Sequence, residues 1–144
     1  MSCTVEYREG IDCVWLAVDR LGNVGALVTG GEGPIPGSAL PGADLEPPLE
    51  EALASLPKTA TARQVVEYKN PSTFVAMAER GVYTFDWRDV HRTNAESTGR
   101  YELVCAPSTP LKVEALPPEL NAIAMATRMA NLAFHDSENS GVAV

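Results

Sequence analysis

Val82-Tyr83-Thr84-Phe85-Asp86-Trp87 places Tyr83, Phe85 and Trp87 on one side of an extended chain and Val82, Thr84 and Asp86 on the other. This period of two, carried by aromatic and β-branched residues, is the clearest strand signal in the sequence. A polar connection, Arg88–Gly99, leads to a second apolar run, Tyr101–Ala106, which is expected to pair antiparallel with the first. Leu111–Glu114, between Pro110 and Pro117, is expected to add a short edge strand.

Upstream, Cys13–Asp19 and Val24–Thr29 flank Arg20-Leu21-Gly22-Asn23, the pattern of a β-hairpin in which Gly22 takes the left-handed turn position. Both runs are apolar on two sides, as expected of strands in the middle of a covered sheet. Leu49, Ala52, Leu53 and Leu56 recur at helical spacing, and Pro57 ends that helix. A strand is expected around Gln64–Tyr68. Asn70-Pro71 then caps a short helix that stops at Gly81 and turns Phe74, Met77 and Ala78 to the core. The last helix is expected to begin near Pro117-Pro118 and run to about Phe134, with its polar stripe limited to Asn121, Arg128, Asn131 and His135, and to cover the aromatic face of Val82–Trp87. These elements predict an α+β fold with a mainly antiparallel sheet of about five strands, covered by that C-terminal helix and two shorter ones.

The 144 residues fit one domain, with the ends 1–12 and 136–144 expected to fray. Residues 30–48 form a loop in which ten of nineteen positions are Gly or Pro, a composition that opposes continuous helix or ladder. Within it, Gly30-Gly31-Glu32-Gly33-Pro34-Ile35-Pro36 is a poor phosphate cradle, because the prolines lack amide donors and no Gly-Lys-Ser/Thr follows.

Charge is distributed unevenly. The net charge is −8, and residues 1–51 hold nine acids against Arg8 and Arg20. Such a balance, with a pI near 4.7, opposes binding to nucleic acid, which requires clustered cations. Met1–Glu9 has neither a basic region nor an apolar run, and nowhere do eighteen apolar residues follow one another, so a cytoplasmic protein without a membrane segment is expected. Three cysteines without C-x-x-C spacing indicate neither a disulfide framework nor a zinc site, and Cys13 and Cys105 read as buried thiols.

The sequence supplies two candidate sites. The acids Glu32, Asp44, Glu46, Glu50 and Glu51, joined by Asp86 and Asp89, make a candidate face for a basic protein partner. For Asp44, Glu46, Glu50 and Glu51, a simpler account is the exposed side of a helix and favourable placement near its start. Asp86, Asp89, His91 and Glu96 are the only cluster suited to metal-assisted hydrolysis, but they lack the spacing of a three-ligand motif. Ion pairing of these acids with Arg88 and Arg92 accounts for the same residues without chemistry. A third reading makes the Gly/Pro loop a small-ligand site. No cofactor and no catalytic residue are expected.

The order of Val14-Trp15-Leu16-Ala17-Val18-Asp19, the turn Leu21-Gly22-Asn23-Val24-Gly25, the segment Thr29–Pro36, Tyr83-Thr84-Phe85-Asp86-Trp87 and Tyr101-Glu102-Leu103-Val104 resembles small acidic bacterial immunity proteins of type VI and contact-dependent toxin systems. The resemblance implies a non-enzymatic protein that neutralises a cognate toxin by stoichiometric binding. It carries over no functional residue. An acidic surface would suit a basic toxin, because opposite charge accelerates encounter.

Overall fold

The computed structural model describes residues 12–31, 33–43, 47–66, 70–87, 100–137 and 141–144. In chain order its strands are β1 (Val14–Asp19), β2 (Val24–Val28), β3 (Ala62–Gln64), β4 (Tyr83–Asp86), β5 (Arg100–Pro107), β6 (Arg128–Met129) and β7 (Val142–Ala143). The α-helices are α1 (Leu40–Ala43), α2 (Leu49–Ala54), α3 (Ser72–Ala78) and α4 (Pro118–Met125). Six strands lie in the order β3-β5-β4-β2-β1-β6, and β7 pairs with β5.

The hairpin β1–β2 forms as its residues predict, in register Trp15↔Leu27 and Leu16↔Ala26. Gly22, with φ +82°, makes the turn. The expected antiparallel pair β4–β5 also forms, with an irregularity between Thr84 and Phe85. The sheet as a whole is mixed, rather than mainly antiparallel. β4 joins the hairpin parallel to β2, because α1, α2, β3 and α3 intervene and bring the chain back to the same end. β6 adds parallel to β1.

Alternation along β1 divides the apolar residues into two groups. Val14, Leu16 and Val18 share one side of the sheet with Leu49 and Leu53 of α2, Phe74 and Met77 of α3, and Leu120 and Ala124 of α4. Trp15, Ala17, Leu27, Tyr83 and Phe85 occupy the other side with Tyr101, Ala39, Phe134 and Val142. The helix α4 therefore does not cover the aromatic face of β4, contrary to expectation. Phe134 covers it instead, 5.2 Å from Phe85 and 5.9 Å from Tyr83 between ring centroids. Its ring lies against Gly25 so closely that a Cβ there would come within 2.7 Å.

This division also explains why the last helix ends at Met125 and does not reach Phe134. Leu120 and Phe134 are buried on opposite sides of the sheet, so the chain must pass around the β1 edge between them, and it does so as β6 and a 3-10 turn, Phe134–Asp136. Three other expectations change. The strand placed at Gln64–Tyr68 lies earlier, at Ala62–Gln64, because the amides of Val65 and Val66 both turn to the Val104 carbonyl; residues 67–69 lie outside the described residues. The strand expected at Leu111–Glu114 is a single bridge, Lys112 to Asn23, followed by a 3-10 turn at Val113–Ala115. Pro71 stands in the cap position of α3, one residue later than Asn70, and its carbonyl accepts the Val75 amide at 2.8 Å.

The described residues of the Gly/Pro segment and of 136–144 include regular structure and buried positions that their composition does not suggest. Residues 37–39 form a 3-10 turn leading into α1, with Ala39 and Gly42 buried. Val142, in the stretch expected to fray, is fully buried beside β5.

Candidate functional site

The helix α2 buries Leu49 and Leu53, four residues apart, and this fixes Glu50 and Glu51 on its outer side. Glu51 is exposed and Glu50 half-buried. Burial pushes the Glu50 carboxyl above its usual value, and the like charges of Asp12 and Glu51 push it further, against a backbone hydrogen bond that favours the anion. Asp12 arrives from the segment just before β1. Its carboxylate accepts the Gly30 amide at 2.9 Å, while the Thr29 hydroxyl oxygen accepts the amides of Cys13 at 3.0 Å and Gly31 at 3.2 Å. The charges of Asp12 and Glu51 thus bear on Glu50 near the place where the hairpin runs into the Gly/Pro segment. Nothing in the local spacing of the sequence marks Asp12 as a neighbour of Glu50, because thirty-eight positions separate them and only the fold closes that distance.

Asp86 does not stand with these acids on the surface. It is buried within β4, opposite Val28 on one side and Glu102 on the other. Neither a partner-binding face nor a solvent-facing hydrolytic loop includes it. Glu32, Asp44, Glu46, Asp89, His91 and Glu96 lie outside the described residues. Asp19, one of the nine acids of the first third, is also internal. Its carboxylate accepts the backbone amides of Leu21 and Asn23 at 2.9 Å each and of Phe134 at 2.8 Å. The charge therefore organises the hairpin turn and contributes little to the acidic surface.

A polar groove of about 290 Å³ opens between Arg20, Asn131, Asp136 and Ser137. Asp136 lies 3.8 Å from Arg20 and 3.0 Å from His135, all three well exposed. Among the described residues no three of His, Cys, Asp and Glu are grouped to hold a metal ion, and no helix is long and apolar enough to cross a membrane. Cys13 and Cys105 are buried, and burial raises the Cys105 thiol above its ordinary pKa, which opposes the thiolate that a nucleophile requires.

The Gly/Pro segment is anchored by residues that its own composition does not reveal. The Tyr101 hydroxyl accepts a hydrogen bond from Trp15 Nε1 at 3.1 Å and donates to the Pro34 carbonyl at 2.9 Å. Trp15 meets the Tyr101 ring edge-on at 5.5 Å, and Trp87 lies tilted at 5.1 Å. Gly33 is buried against Tyr101 and Trp87. No protein-family model, curated protein or solved structure matches this chain.

Proposed function

We propose that this chain is a non-enzymatic cytoplasmic immunity protein, which neutralises a cognate secreted toxin by occluding it and meets a basic surface of that toxin with its acidic face. One observation supports this reading above the others: the like charges of Asp12 and Glu51 act on a partly buried Glu50 in the first turn of α2. Such an arrangement costs stability in the free protein and is relieved when cations of a partner approach. The hydrolase alternative loses support, because the one residue of its cluster that is described, Asp86, is buried in the sheet.

The test begins with the gene directly upstream. Its product is expected to be a large secreted effector whose toxic domain arrests bacterial growth when expressed alone, with growth restored by co-expression of this chain. Rim charges act mainly on the association rate and are screened over about 8 Å at physiological ionic strength. The double variant Glu50→Lys/Glu51→Lys is therefore expected to slow association with the toxic domain and flatten its salt dependence, with an unchanged circular dichroism spectrum. Equal rates for wild type and variant at low and high salt would remove the acidic face from the interface. An upstream metabolic enzyme in place of an effector would remove the immunity reading altogether.

A further inference from the structure

We propose that Gly141–Val144 is a releasable strap, whose docking on β5 sets the order of the Gly33–Pro36 segment through Tyr101. Val142 inserts into the aromatic side of the core with no exposed surface, and among the described residues the strand that carries it pairs with β5 at two positions, Arg100↔Ala143 and Tyr101↔Val142. Ala143 and Val144 are exposed, and the Gly141 amide donates to the Ser137 carbonyl at 2.9 Å. The hairpin β1–β2, by comparison, pairs over five positions with both faces buried. Among the described residues this unit contributes one buried apolar side chain and a two-position ladder, so it opens at a lower free energy than the rest of the sheet.

Tyr101 links this unit to the Gly/Pro segment. Its backbone pairs with the strap, and its side chain, also fully buried, reaches Pro34 and Trp15. Gly33 rests on the same ring and on Trp87, and its amide donates to the Thr29 carbonyl at 2.9 Å. With the strap lifted, Tyr101 loses its cover, and water competes for the hydroxyl that holds Pro34. Strap and segment are then coupled through one residue, and the coupling is reciprocal. This inference does not depend on the identity of any partner.

Hydrogen exchange of the full chain tests it, with the Gly33 amide as probe and the Ala17 amide of β1, in register with Gly25, as reference. Val142→Ala removes most of the buried knob. Gly141→Ala acts differently: φ at this position is +69°, and a Cβ would come within 2.6 Å of the Tyr101 carbonyl. Both variants are expected to accelerate exchange at Gly33 by about ten- to a hundredfold, the range implied by loss of one buried aliphatic side chain, while Ala17 keeps its protection. Tyr101→Phe is expected to accelerate Gly33 alone, and adding Val142→Ala to it should have less effect than Val142→Ala has in the wild type. Unchanged exchange at Gly33 in both strap variants would overturn the proposal. Equal acceleration at Gly33 and Ala17 would also overturn it, because the strap would then open only with the whole fold.

Discussion

Glu50 illustrates how a residue that looks like ordinary helix surface acquires a specific energetic role. Its carboxyl is raised above its ordinary pKa, first by burial and then by the like charges of Asp12 and Glu51. The folded state therefore holds this proton to higher pH than the unfolded chain does. The resulting stabilisation is complete below the unfolded pKa and is lost as pH rises through the folded one, so at neutral pH the ionised Glu50 is a net burden. Glu50→Gln is expected to raise the melting temperature at pH 7, and that advantage over wild type should vanish below about pH 4, where both side chains are neutral. Thermal melts followed by circular dichroism at the two pH values check this. A lower melting temperature for the variant at pH 7 would mean that the backbone bond to the carboxylate outweighs burial.

At the scale of elements, the junction between the hairpin turn and the 3-10 turn at Phe134–Asp136 rests on Asp19. One carboxylate serves amides from both elements, including one 115 positions away in the chain. Asp19→Ala would leave three amides without that acceptor, and each unsatisfied buried donor costs about 1–3 kcal/mol. A destabilisation of about 3–5 kcal/mol is expected, measured as a shift in the urea midpoint at constant slope. A change below about 1 kcal/mol would show that water reaches these amides. The same junction decides where the last helix stops. The apolar spacing from Leu120 to Phe134 is compatible with one continuous helix, but a helix fixes which residues share a side, and burial of Leu120 and Phe134 on opposite sides of the sheet breaks it at Met125.

At the scale of the whole molecule, the two apolar layers share β1, β2 and β5, so neither can lose its packing without disturbing the strands that carry the other. A single cooperative thermal transition is expected, with an enthalpy of about 100 kcal/mol for a chain of this length. Near-ultraviolet dichroism, dominated by Trp15 and Trp87 on the aromatic side, should coincide with the far-ultraviolet signal. Separate midpoints would show that the layers melt independently. The amino-acid sequence by itself determined the elements written in local patterns: the β1–β2 hairpin with its Gly22 turn, the alternation of β4, the antiparallel β4–β5 pair, and the apolar side of α2 that leaves Glu50 and Glu51 outward. It also carried the acidic bias, though not its arrangement. Only the tertiary structure decided that β4 lies parallel to β2, that β6 and β7 join the sheet, that Asp19 and Asp86 are internal, and that Asp12 reaches Glu50. The physical reason is that periodicity reports which residues share a side of one element, whereas the choice of neighbouring strand depends on contacts between distant segments. Where strands such as β1 and β2 are apolar on both sides, no local pattern distinguishes one neighbour from another.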